Sequence, residues 1–134
     1  MIGMGLFNRS SPENKSPINW VDLISLGQID QIIEQSIARP VLIFKHSIRC
    51  GTSAMVLDRL QRNWNPSELP EIELYFLDLI SYREISNKIA EVLNVWHQSP
   101  QIIVIKNGKC IYEASHFSIS FKDITKNMGG IGVV

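Results

Sequence analysis

The chain alternates two kinds of apolar pattern, and that alternation limits what it can fold into. Val41-Leu-Ile-Phe44, Glu73-Leu-Tyr-Phe-Leu-Asp78 and Ile102-Ile-Val-Ile105 are short, nearly continuous apolar runs, the mark of strands covered on both faces. Between them the apolar residues recur at helical spacing. Leu26, Ile29, Ile32, Ile33 and Ile37 predict a helix that stops before Pro40, and Val56, Leu57, Leu60 and Trp64 one from Ser53 to Trp64. Ile85, Ile89, Val92 and Leu93 stripe a third from about Ser81, after a loop marked by Asn65-Pro66 and Pro70. Asn107-Gly108 between Ile102–Ile105 and Cys110-Ile-Tyr112 is the strongest short hairpin signal. A last helix is predicted over Ser120 to Asn127, ended by Gly129-Gly130, and Ile18-Asn-Trp20 reads as a short edge strand. The order αβαβαββα makes an α/β domain with a central mixed sheet of four to five strands flanked by helices. Its early strands are parallel with right-handed crossovers, and the hairpin supplies an antiparallel edge.

Asn8 to Pro17 is rich in serine, proline and asparagine, and residues 1–17 read as a disordered N-terminal tail. The domain spans 18–128, and 129–134 reads as a C-terminal tail. A chain of 134 residues suits one core. Thirteen lysines and arginines balance thirteen aspartates and glutamates, so no net field draws the protein to nucleic acid or an anionic membrane. Met1 to Phe7 is apolar but too short for a secretory core, and no segment reaches transmembrane length. Two cysteines far apart are no disulfide framework, which points to a reducing compartment and hence the cytoplasm.

One of those cysteines sits where chemistry is expected. Cys50 follows the Val41–His46 run after a short connector and opens the next helix, at the carboxyl end of a parallel strand, where ligands bind on such sheets. A thiol with its ordinary pKa of about 8.5 is only a few per cent ionised at pH 7. Helix N-termini stabilise anions, so this placement favours the thiolate and suggests a nucleophile. Lys45, His46 and Arg49 flank it as cations that stabilise a thiolate, and Thr52 and Ser53 are placed to cap the helix. The plain alternative is a cysteine that is only a small buried hydrophobe. Cys110 has that role. Pairing Lys106 with Lys109 and Ile105 with Cys110 puts it at the turn end of the hairpin, on the order of 16 Å from the site end, beyond disulfide reach. The same pairing sets Gln101 opposite Ala114 and brings His116 back toward Ser99 and the site. A metal site from Cys50 and two histidines lacks tight ligand spacing, and none is expected.

The motifs in order are specific. Phe44-Lys-His-Ser47, Arg49-Cys50, Ser53-Ala-Met55, Leu77-Asp-Leu-Ile80, Tyr82-Arg83 and Ser86-Asn87 are followed by His97, Ser99-Pro-Gln101, Lys106-Asn-Gly108 and Ala114-Ser-His116. Over roughly Trp20 to Ile124 the chain resembles the YtxJ-type monothiol bacilliredoxins of the thioredoxin fold. That resemblance implies a cis-proline at Pro100, before the C-terminal hairpin and facing Cys50. It also implies a monothiol exchange in which Cys50 removes bacillithiol, a low-molecular-weight thiol, from mixed disulfides on protein substrates. No cofactor is held, and bacillithiol serves as the thiol co-substrate. In Cys50-Gly-Thr-Ser53, Ser53 stands where a two-cysteine redox enzyme carries its resolving thiol, and Gly51 departs from the family's more frequent proline. Arg83 could pair with a carboxylate on the small thiol, His97 or His116 could protonate a departing thiol, and the backbone at Ser99 would align an extended substrate. Two other readings stay open: a thioredoxin-fold module that binds extended peptides without turnover, and a glutathione-using monothiol glutaredoxin.

Overall fold

The computed structural model describes residues 18–69 and 71–133, with side chains as far as Met128. The predicted N-terminal tail lies outside the described residues. Among the described residues, five strands and four helices follow one another: β1 (Val21–Asp22), α1 (Gly27–Ala38), β2 (Val41–His46), α2 (Gly51–Asn63), β3 (Glu73–Asp78), α3 (Arg83–Leu93), β4 (Gln101–Lys106), β5 (Lys109–Ser115) and α4 (Phe121–Val133). They form one mixed sheet in the order β1-β3-β2-β4-β5. β1 and β2 run parallel to β3, while β4 is antiparallel to both β2 and β5.

Alternation along each central strand supplies a core on both sides of the sheet. Leu42, Phe44, Phe76, Ile102 and Val104 face Val56 and Leu60 of α2 and Phe121 and Ile124 of α4. Val41, Ile43, Leu77, Ile103 and Ile105 face Ile29 and Ile32 of α1 and Ile85 and Ile89 of α3. Every residue of β2 is buried, as expected of a central strand covered by helices on both faces.

Several boundaries differ from the sequence expectation. The edge strand is Val21–Asp22, not Ile18–Trp20; Ile18 is instead buried in the core. Leu26 and Ile37 are exposed, because the buried stripe of α1 runs through Ile29, Ile32 and Ser36. Val92 is likewise exposed on α3. The α2 helix begins two residues early, at Gly51. The α4 backbone stays helical through Gly129-Gly130 to Val133, since a glycine weakens a helix without forbidding it.

The hairpin turn forms as predicted: Ile105 pairs with Cys110 and Lys106 with Lys109, and Asn107 and Gly108 both have positive φ. An irregularity between Val104 and Ile105 then shifts the pairing by one residue, so Gln101 lies opposite Ser115 and Ile102 opposite Ala114. This corrects the expected Gln101–Ala114 register. Ser36 fastens the turn to α1. Its carbonyl accepts the Asn107 N–H at 2.8 Å, and its Oγ accepts the Gly108 N–H at 2.8 Å while donating to the Ile33 carbonyl at 2.6 Å. Ser36→Ala leaves the half-buried Gly108 N–H without its acceptor and should cost about 1–3 kcal/mol. Urea unfolding checks this, and an unchanged midpoint would remove the turn from the stabilising contacts.

Candidate functional site

Antiparallel pairing of β2 with β4 sets Lys45 opposite Gln101. The end of β2 and the start of β4 therefore leave the sheet side by side. The β2 chain continues through a turn, closed by the Cys50 N–H donating to the Ser47 carbonyl at 3.2 Å, and enters α2. Cys50 is the N-terminal flanking residue of that helix, with extended backbone and a half-buried side chain. Its thiol thus stands at the positive end of a 13-residue helix dipole. On the β4 side the Ser99–Pro100 peptide is cis.

The two residues that end β2 point to opposite faces, and each carries a polar group at the end of the sheet from which the Cys50 loop leaves. On the α2 face, His46 Nδ1 lies 2.7 Å from Ser53 Oγ, and both residues are buried. Ser53 Oγ also accepts the Ser47 N–H at 3.1 Å. It braces the loop before the helix, and the helix carries no side-chain capping bond from Cys50. Thr52 and Ser53 were expected to cap; Ser53 is instead drawn inward because the helix starts earlier and its third position faces the core. Arg49 is exposed, and its N–H donates to Ser47 Oγ at 3.3 Å. Gly51 has open space where a Cβ would stand. A concavity of about 450 Å³ opens beside this layer, lined by His46, Ile48, Leu57, Asp78 and Tyr82 among others.

On the other face is a group that motif reading did not assemble. Lys45 is fully buried, and its ammonium reaches the Ser86 carbonyl at 3.5 Å and His97 Nδ1 at 3.4 Å. The Ser86 hydroxyl is 3.3 Å from the same ring nitrogen. Burial lowers the Lys45 pKa to about 8. His97 is held below its ordinary range, first by burial and then by the charges of Lys45 and Arg83. Lys45 was expected to flank the thiol; strand alternation turns it toward α3 and His97 instead. Gln101, also buried, holds the connecting loop: its amide nitrogen donates to the Trp96 carbonyl at 2.9 Å and to Glu113 Oε1 at 3.1 Å. The sequence pattern carried no signal for that role, because the pairing of Gln101 with Lys45 is set by the sheet.

The hairpin returns to the same end. The His116 N–H donates to the Pro100 carbonyl at 3.0 Å, while its side chain is exposed on a turn with φ of 55°. The Ser99 hydroxyl is buried and has no hydrogen-bond partner among the described residues. Arg83 is exposed at the first position of α3 and forms no ion pair among the described residues. Cys110 is at the far end of the hairpin, packed against the α1–α3 core. Its Sγ donates to the Tyr112 carbonyl at 3.5 Å, and burial pushes its thiol pKa up. Both cysteines are free. Among the described residues no three His, Cys, Asp or Glu side chains are grouped to hold a metal ion, and no helix is long and apolar enough to cross a membrane.

This sheet order, with a cysteine heading α2 at the carboxyl end of a parallel strand, defines a thioredoxin-fold thiol–disulfide oxidoreductase. Comparison with known proteins narrows the class. The family model described as monothiol bacilliredoxin BrxC matches residues 21–124, and the chain belongs to that family. Among solved structures, the fold is similar to that of a candidate oxidoreductase with a thioredoxin fold. That match has 29% identity and a TM-score of 0.68, covering 80% of this chain and 91% of the other. It is also similar to thioredoxin from Malassezia sympodialis (16% identity, TM-score 0.64, 85% and 92% covered). Thioredoxin from Trypanosoma brucei brucei matches at 16% identity and a TM-score of 0.64, with 87% and 93% covered. The two thioredoxins share the fold.

The buried Lys45 sets the sign of a stability test. Unfolded, its amine titrates at the ordinary 10.5; folded, at about 8. Below pH 8 both states are protonated, and burying the charge costs on the order of 3 kcal/mol. Between those two values the unfolded chain holds a proton that the folded one has lost, so the cost fades as pH rises. Lys45→Met should therefore stabilise the protein at pH 7, with the gain shrinking toward pH 10.5. Denaturant midpoints at both pH values test this; a variant less stable at pH 7 would show that the ammonium contributes stability.

Proposed function

We propose that the protein removes bacillithiol from mixed disulfides on cytoplasmic proteins, with Cys50 as the exchanging thiol. The observation that carries this reading is Cys50 at the N-terminus of α2, where the chain leaves a parallel strand, with Ser53 in place of a second cysteine. Family membership supports the monothiol chemistry.

Cys50 thiolate attacks the small-thiol sulfur of a protein mixed disulfide. A new S–S bond joins Cys50 to the small thiol, the old one breaks, and the protein sulfur leaves as a thiolate that takes up a proton from solvent or a nearby donor. Attack at this sulfur leaves the client reduced and the small thiol on the enzyme. Ser53 cannot expel it, because a hydroxyl forms no disulfide, and Cys110 lies at the far end of the hairpin. A second thiol, bacillithiol or a partner redoxin, must attack the Cys50 adduct to regenerate the thiolate. The backbone at Ser99 offers edge hydrogen bonds to an extended client segment. Arg49, exposed one residue before Cys50, adds positive charge to the surface a client meets.

Cys50→Ser should abolish exchange, and Cys110→Ser should leave it within about twofold of the parent protein. Mass spectrometry after treatment with oxidised bacillithiol and, in parallel, oxidised glutathione reads both the site and the thiol. One adduct on Cys50, forming faster with bacillithiol, is the expected result. An adduct confined to Cys110 rejects the assignment, and faster reaction with glutathione rejects the choice of thiol.

A further inference from the structure

The Lys45 ammonium is an unusual thing to bury. Among the described residues no carboxylate pairs with it, and burial alone accounts for its shifted titration. Buried charges normally have a counterion, since an isolated one is costly to desolvate. What Lys45 does touch is His97. An ammonium has donors and no acceptor, so its 3.4 Å contact with Nδ1 requires that nitrogen to be bare. The Ser86 hydroxyl, 3.3 Å from the same atom, can only reinforce this arrangement by donating as well. The proton of the neutral imidazole then sits on Nε2, on the ring edge turned away from Lys45. His97 is half-exposed and lies three residues before Pro100, in the loop that Gln101 ties to the sheet.

The charges near His97 favour an anion. Arg83 stands one turn before Ser86 on α3, the residue whose hydroxyl contacts His97, is exposed, and has no ion-pair partner among the described residues; its charge adds to what depresses His97 titration. Glu113 on β5 is the acid on this side that the hydrogen bonds identify, and its carboxylate is engaged by Gln101. The same loop carries the Ser99 hydroxyl, buried and without a partner among the described residues. A ring N–H donor, a guanidinium and an uncompensated ammonium behind them make a setting matched to a carboxylate.

We propose that Lys45 is a positioning residue that locks His97 in its Nε2–H tautomer, and that His97 and Arg83 form a subsite for a carboxylate on the disulfide substrate. This deepens the exchange assigned to Cys50 and rests on it. The carboxylate can belong to the small thiol or to an acidic residue of the client, and the two sources are separable.

The test uses the full chain and model mixed disulfides of a cysteine peptide. One set carries 3-mercaptopropionate or 2-mercaptoethanol as the small half. A second set keeps 2-mercaptoethanol and places Glu or Gln beside the peptide cysteine. The wild type should favour the carboxylate form of one set through a lower KM, and the set that shows the preference names the source. Arg83→Gln and Lys45→Met should each reduce the ratio of carboxylate to neutral kcat/KM by about fivefold, the scale of one exposed ion pair. Nitrogen-15 and carbon-13 NMR of His97 should report Nε2–H in the wild type and mixed tautomers in Lys45→Met. A wild type indifferent to the carboxylate in both sets overturns the subsite. An unchanged tautomer in Lys45→Met overturns the positioning role even if that variant lost affinity for other reasons. Failure of the wild type to exchange any of the four substrates would instead count against Cys50 as the exchanging thiol.

Discussion

The structure depends on β2 lying between a parallel neighbour and an antiparallel one. That position buries all six of its residues, including Lys45 and His46, which no solvent-facing strand would do. Because side chains alternate, the last two residues deliver one polar group to each face of the sheet, at the end from which the Cys50 loop leaves. His46 meets Ser53 on the α2 side, and Lys45 meets Ser86 and His97 on the α3 side. The loop that carries the candidate thiol thus leaves the sheet between two buried polar layers, both anchored on its fully buried strand.

Those layers have different consequences. The His46–Ser53 layer closes on itself: the serine satisfies a loop N–H and a ring nitrogen, and so sets where α2 begins. The Lys45–His97 layer does not close, because it contains a cation without an anion. Local arrangements that cost stability are characteristic of functional sites, where the missing partner arrives with the substrate. The contrast between a satisfied layer and an unsatisfied one distinguishes scaffolding from recognition at this end of the sheet.

Much of the fold was legible because its signals are local. The bounds of Glu73–Asp78 follow from a continuous apolar run, and the Asn107-Gly108 turn from two residues that tolerate positive φ. The errors share a cause, which is reading a one-dimensional pattern without its neighbours. Leu26, Ile37 and Val92 match the helical period but are exposed on their helices, and Ser36 is buried because it fastens the hairpin. The irregularity at Val104/Ile105 leaves no mark in composition, yet it moves every pair beyond it. At the site, Cys50 stood out by its strand-to-helix position. The link from Lys45 to His97 spans 52 residues and joins them through α3, so no spacing rule reaches it.

The amino-acid order by itself determined the alternation of strands and helices, the hairpin turn, and a single cysteine heading a helix without a second one a turn later. Those are properties of short stretches, set by side-chain period, backbone freedom and helix polarity. Only the tertiary structure decided which face each polar residue of β2 would take, how the hairpin register slipped, and which histidine would stand against the buried lysine. Such contacts join residues distant along the chain, and their geometry is fixed by packing the sheet between its helices.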